Sequence, residues 1–246
     1  VVAAAKLLRH VGRKRVGRFL AEGPNLVEAA LERGLVVEVF ATESAAVRFA
    51  DLLVGAPVHE VTDRAAKALS DTVTPTGLVA VCTTPEAALD DVLSGNPRLL
   101  LIAVDTSEPG NAGTLIRTAD AMGADAVVLA GHSVDAFNGK CLRASAGSIF
   151  ALPVLEAVDA TELFAALQKS GLRVLATTLD GEVALDDVDL SRPTAWVFGT
   201  EAHGLAPELA AAADARVRIP MNGTAESLNV AAAAAICMYQ SSRAQA

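Results

Sequence analysis

Hydrophobic and polar positions follow two regimes along the chain, divided near residues 84–98. Before the divide, short runs predict strands at 18–21, 36–41, 59–61 and 78–82, the first leading into Glu22-Gly23-Pro24. A helix is predicted over 25–33, with Leu26, Ala29, Ala30 and Leu31 as its apolar side and Gly34 as its stop. Further helices are expected around 45–53 and 64–69. After the divide, aliphatic runs at 99–104, 126–130, 173–178, 195–199 and 216–220 alternate with helical stretches. Uninterrupted aliphatic strands separated by helices predict a mostly parallel sheet covered on both faces. The divide itself reads as a short acidic helix over 86–93 followed by the turn cluster Ser94-Gly95-Asn96-Pro97.

The expected class is therefore α/β, with a basic N-terminal extension (1–17), a small α/β unit (18–84), a linker (85–97) and a larger domain (98–246). Composition agrees: 52% of residues are hydrophobic but only 4% aromatic, so Ala, Val and Leu must build the core. The apolar stretch 230–238 falls well short of the ~20 residues that cross a bilayer. Charges at the N-terminus are not followed by an apolar run, so no secretory signal is expected. Cys82, Cys141 and Cys237 are odd in number and far apart, and the four histidines add no metal-ligand spacing. A reducing, cytoplasmic setting without a metal is the expectation.

Net charge changes the picture only through its distribution. The chain carries −9 overall, yet residues 1–18 hold six cations (Lys6, Arg9, Arg13, Lys14, Arg15, Arg18) and no acid. The remaining 14 basic residues face 29 acidic ones. A local cationic patch binds phosphate even on an acidic molecule; a solvated basic tail is the plainer alternative.

Three polar motifs follow predicted strands. The first, Asp105-Thr-Ser-Glu-Pro-Gly-Asn111-Ala-Gly113 through Arg117 to Asp120, offers a helix start near Asn111 whose free N–H groups suit an anion. Asn111 is equally read as an N-cap, and Arg117 as a surface partner of Asp120. The second, Trp196-Val-Phe198-Gly199-Thr-Glu201-Ala-His203-Gly204, has glycines that permit close approach of backbone to ligand. Glu201 accepts a proton in one reading and favours a helix dipole in the other; His203 reads best as an exposed loop residue. In the third, Ile219-Pro220-Met221-Asn222-Gly223 through Glu226-Ser227-Leu228-Asn229-Val230 enters an alanine-rich helix over 231–239, with Ser227 as the natural cap. In open parallel sheets, ligands sit beyond the carboxyl ends of strands, where all three motifs fall.

Together these motifs resemble the SpoU (TrmH-type) branch of the SPOUT methyltransferases. The likeness rests on motif order, the spacing of Asn111 and Arg117, Gly199 with Glu201, and the Ile219-Pro220-Met221 to Ser227-Leu228-Asn229-Val230 string. Lys140-Cys-Leu-Arg143-Ala-Ser145-Ala-Gly147 is similar to a further family segment. Residues 17–29 resemble the family's small RNA-binding domain, itself similar to ribosomal proteins that bind kinked RNA.

The resemblance implies a C-terminal trefoil-knot domain, a homodimer, and S-adenosylmethionine bound by backbone at Thr178, Gly199, Ile219 and Leu228. The implied reaction is methylation of a ribose 2′-hydroxyl, on large-subunit rRNA in the leading reading and on tRNA in the alternative. Asn111, Arg117, Glu201, Ser227 and Asn229 form the implied catalytic set. Within it, the proton acceptor is either Glu201 or Arg117, although a guanidinium does not readily release its proton. Arg143 joins Arg9, Arg13, Lys14, Arg15 and Arg18 as the implied RNA contacts. A non-catalytic RNA-binding scaffold is the contrasting reading, and a generic phosphate-loop enzyme fails for want of a Walker lysine.

Overall fold

A computed structural model describes residues 1–157, 159–200 and 203–246. The chain divides into two compact units, Val1–Glu86 with Asp135–Phe150, and Ala87–Val134 with Ala151–Ala246.

The first unit opens with helix α1 (Val2–Ala5), a 3-10 turn (Lys6–Leu8) and helix α2 (His10–Val16). Strand β1 (Arg18–Glu22), helix α3 (Pro24–Glu32), β2 (Val36–Ala41), α4 (Glu43–Arg48), β3 (Val58–Glu60), α5 (Asp63–Lys67) and β4 (Leu78–Thr83) follow. The strands form one sheet in the order β1-β4-β2-β3. The segment expected as a bare extension is folded: Ala4 and Leu7 are buried with Leu20, Phe40, Leu69, Val79 and Val81. Seven-residue α2 is too short to persist alone, and this packing is what a sequence pattern of cations does not reveal.

The second unit contains α6 (Leu89–Ser94), β5 (Leu99–Val104), α7 (Pro109–Ala121) and β6 (Ala126–Ala130). Helix α8 (Gly139–Ser145) interrupts it and belongs to the first unit. There Phe137 and Phe150 close over Phe19, with ring centroids 4.9 Å and 5.7 Å away. The second unit resumes with β7 (Val154–Ala157), α9 (Ala160–Lys169), β8 (Arg173–Thr177), β9 (Val183–Ala184), β10 (Thr194–Phe198), α10 (Pro207–Ala212), β11 (Ala215–Arg218) and α11 (Val230–Ala244).

Its seven strands run in the order β7-β6-β5-β10-β8-β11-β9, and each pairing between them is parallel. All of β5, β6 and β10 is buried, as two covered faces require. Leu100, Ile102, Val128, Val174 and Val197 share one face with Leu163, Phe164 and Leu167 of α9. From β5 the chain steps to β6 and β7, then returns to β8 on the far side of β10. This reversal of strand order, at β5 and β10, brings loops from both directions to one carboxyl edge. Among the described residues, no helix is long and apolar enough to cross a membrane.

Candidate functional site

The loop after β5 is fixed before any ligand is considered. Asp105 adopts a left-handed backbone (φ 53) and accepts the His132 N–H on Oδ1 at 2.7 Å. A Cβ on Gly131 would lie 2.4 Å from that same oxygen, so glycine is required there. Helix α7 then starts at Pro109, with Glu108 as the N-cap accepting the Gly110 N–H at 3.2 Å. Asn111 is therefore in the first turn and is not the cap. Its side chain instead meets Asn229, whose Nδ2 lies 3.5 Å from Asn111 Oδ1.

Asn229, not Ser227, caps α11: its Oδ1 accepts the Ala231 and Ala232 N–H groups at 2.9 Å and 3.4 Å. The cap falls later than the sequence suggests, which leaves Ser227 exposed on a cleft wall. Arg117 is exposed on α7, and among the described residues no ion pair or hydrogen bond engages its guanidinium. The alternative reading of Arg117 as a surface partner of Asp120 has no such pair among the described residues. Glu201 lies outside the described residues.

The other expectations converge on one cleft of about 630 Å³ at the carboxyl ends of β8, β10 and β11. Thr178, Gly199, Ile219 and Leu228 all line it. Gly199 is locked in place: Thr200 and Gly204 exchange backbone hydrogen bonds of 3.0 Å and 2.9 Å, and a Gly199 Cβ would sit 2.2 Å from the Gly204 carbonyl carbon. The exposed His203 donates its backbone N–H to Thr200 Oγ1 at 3.1 Å, which tightens the same turn.

Sequence reasoning overlooked Asp180 and Arg216, which also line the cleft. Arg216 pairs with Glu182 at 2.9 Å and with Asp180 at 3.3 Å. The Arg216 backbone N–H, donated to Glu182, is the main cause holding that carboxyl below its usual range. Gly181 allows the loop to lie against β11, since a Cβ would be 2.6 Å from the Arg218 nitrogen. The Asp180-Gly181 pair was the available signal, a turn dipeptide separated from the end of β8 by two residues.

Size and chemistry of the cleft fit a nucleoside-sized cofactor. Its volume falls within the ~300–1,000 Å³ typical of small-molecule sites. Ile219, Leu205 and Leu228 offer apolar surface for a purine, while Asp180 and Glu226 suit a cationic sulfonium. Thr178 Oγ1 is buried and, among the described residues, has no hydrogen-bond partner, leaving a donor and acceptor for a ligand. Among those residues no cluster has the makings of a metal site.

In the first unit the expected RNA contacts separate. Arg9, Lys14, Arg15 and Arg18 are exposed and, among the described residues, carry no ion pair. Arg13 is turned inward and 7% exposed, its guanidinium committed to Asp135 at 2.6 Å. This corrects the reading of Arg13 as a surface phosphate ligand: its neighbours bury it. Arg143 pairs with Asp71 at 2.5 Å and lies 3.9 Å from Glu22, so its charge is already engaged.

Comparison with known proteins places this geometry. Residues 98–239 match the SpoU rRNA Methylase family, and residues 1–80 match the MRM3-like substrate binding domain. The 23S rRNA (guanosine(2553)-2′-O)-methyltransferase RlmP of Bacillus subtilis is 37% identical over 92% of this chain and 89% of its own length. Among solved structures, the SpoU methyltransferase AviRb from Streptomyces viridochromogenes, in complex with AdoMet, superposes with a TM-score of 0.86 at 29% identity, covering 98% of this chain and 95% of that one. An AdoMet-bound rRNA methyltransferase from Sinorhizobium meliloti gives 0.86 at 33% identity, covering 98% and 93%. On the match over 98–239 and the 37% identity to RlmP over 92% of this chain, the chain belongs to the SpoU rRNA methylase family.

Proposed function

We propose that this protein transfers a methyl group from S-adenosylmethionine to a ribose 2′-hydroxyl of large-subunit rRNA. The observation that carries this reading is the cleft at the carboxyl edge, which gathers Thr178, Gly199, Ile219 and Leu228 beside the Asn111–Asn229 pair. Its relative RlmP acts on 23S rRNA by its name, as does a uridine(2479) 2′-O-methyltransferase of Streptomyces viridochromogenes. Bound in the cleft, S-adenosylmethionine supplies an electrophilic methyl on a sulfonium.

The chain's residues have the remaining work. Backbone at Gly199 and Leu228 and the apolar side chains of Ile219 and Leu205 hold the adenosine. Asn111 and Asn229 hold each other at the helix entrances and orient the ribose, with Ser227 on the adjoining wall; positioning of this kind is a major source of rate. Arg117, exposed and unengaged among the described residues, clamps the phosphate next to the target ribose. The 2′-hydroxyl proton passes to the Glu201 carboxylate; in the alternative it passes to Arg117 as a neutral guanidine, and Arg117 is then not the cationic clamp.

Arg9, Lys14, Arg15 and Arg18 bind RNA phosphates in this reading. The protein acts in the cytoplasm as a homodimer, and the knotted path implied by the family is part of the same proposal. For the dimer, support comes from an outward stripe on α11 in which Ile236 and Tyr239 are 38% and 52% exposed. Light scattering at two concentrations checks it; a monomer at both would remove the dimer.

The test of function has two arms. Calorimetry with S-adenosylmethionine should show one saturable site per chain. Mapping of 2′-O-methyl groups in 23S rRNA, with and without the protein, should reveal one ribose that loses its methyl. Cofactor binding without any change in rRNA methylation would overturn the substrate; no cofactor binding would overturn the reaction.

A further inference from the structure

The six cations before Phe19 are not equivalent, and the odd one out explains how the others are held. Arg13 donates from Nε to Asp135 Oδ2 at 2.7 Å, while Nη2 lies 2.6 Å from the same oxygen. Its Nη1 donates to the Leu7 carbonyl oxygen at 2.8 Å. One guanidinium thus joins α2, the preceding 3-10 turn and the segment that follows β6 in the chain. Asp135 is itself fixed, since its Oδ1 accepts the Phe137 N–H at 2.8 Å and its side chain is only 13% exposed.

Helix α2 is held at both ends as well. A Cβ on Gly12 would lie 2.0 Å from the Lys6 carbonyl oxygen, so the helix packs tightly on the turn before it. Gly17, at φ 61, donates its N–H to the Arg13 carbonyl at 2.9 Å and redirects the chain into β1. A seven-residue helix crowded with like charges does not form by itself in water. As a loose arm, it would have to be ordered at the moment of binding, with loss of affinity.

We propose that Asp135 is a positioning residue for RNA: by holding Arg13 it presents Arg9, Lys14, Arg15 and Arg18 as a preformed phosphate-binding edge. The proposal rests on the reading of those four side chains as RNA contacts. It also means that the anchor of this edge is encoded between β6 and β7, within residues 98–239 and outside the N-terminal sequence that carries the cations.

The test compares signs. Replacing Asp135 by Asn removes a negative charge, so simple charge counting predicts tighter RNA binding. Positioning predicts the reverse. Phosphate binding is independent of sequence, so an arbitrary RNA hairpin of about 30 nucleotides serves as the probe. For full-length D135N, affinity at low salt should fall about tenfold. The slope of log K against log salt should become shallower by about 0.7–0.9 for each phosphate that is no longer neutralised, the lower figure for the loop and the higher for the paired stem. Calorimetry with S-adenosylmethionine should be unchanged, reporting an intact second unit.

The double variant R13M/D135L refills the site with apolar groups. It should restore both affinity and slope, and it carries the test if the single variant does not fold. RNA binding by D135N equal to or tighter than wild type would overturn the proposal, provided that K14A/R15A/R18A binds more weakly. If that triple variant also binds as wild type, the underlying RNA reading of the segment fails instead.

Discussion

Trp196 on β10 donates its indole N–H to Ser241 Oγ on α11 across 2.8 Å, and both residues are wholly buried. The two elements so joined carry opposite sides of the site. Strand β10 runs into Gly199, and α11 begins at the Asn229 cap that meets Asn111. A single interior hydrogen bond therefore ties α11 to the strand whose loop lines the candidate cofactor cleft.

Ser241→Ala should leave the indole N–H buried and unpaired, at a cost of about 1–3 kcal/mol. Urea unfolding should show a lower midpoint with an unchanged slope. A stability equal to wild type would mean that α11 finds its register by apolar packing alone.

Gly199→Ala should damage the proposed cofactor wall directly. The new Cβ would press on the Gly204 backbone at 2.2 Å, which cannot yield as a flexible side chain would. Overpacking of this kind costs about 1–3 kcal/mol of stability, and a turn displaced to relieve it should bind the cofactor on the order of tenfold more weakly. Calorimetry with S-adenosylmethionine reads it; an unaltered Kd would show that this turn does not contact the cofactor.

Arg117→Ala should lower the rate of rRNA methylation by about 10²–10⁴-fold. Cofactor affinity should stay near wild type, because Arg117 is not among the residues lining the cleft. Arg117→Lys should recover only part of the rate, since an ammonium lacks the planar fork that matches phosphate. Methylation at the wild-type rate in the alanine variant would remove Arg117 from the mechanism.

The three thiols titrate out of the ordinary range, and this gives a pH dependence with a definite sign. Burial pushes Cys82, Cys141 and Cys237 up to about 12, with the Asp135 charge adding to the effect at Cys141. An unfolded thiol ionises near ~8.5, so between roughly 8.5 and 12 the folded chain holds more protons than the unfolded one. Their contribution to stability is thus complete below ~8.5 and is lost as pH rises toward 12. Unfolding by urea at pH 7.5 and pH 10 should show this decline, smaller in C82A/C141A/C237A. The native thiols should also resist a disulfide reagent at pH 8 until denaturant is added; rapid native labelling would contradict their burial.

Local sequence determined five of the seven strands of the larger domain, missing the short β7 and β9, and the positions of its motifs. Strands β5 and β6 fall on the predicted residues because both faces are buried, which leaves an uninterrupted aliphatic run. The four residues expected around the cofactor share a cleft for a related reason. Each follows a parallel strand, and parallel strands deliver their loops to one edge.

What tertiary structure alone decided concerns partners distant in sequence. The short strand β9 and the Asp180–Arg216 pair at the cleft depend on a loop folding back across 36 positions of chain. The roles within the basic segment depend on a partner 122 positions away: Arg13 and Lys14 are adjacent, yet one is buried on Asp135 and the other faces water. Likewise, Asn229 rather than Ser227 caps α11, whose first two residues, Val230 and Ala231, are already buried. Composition and periodicity record which face of an element avoids water. They do not record which element it will meet, and that meeting selects the one cation of six that becomes an anchor.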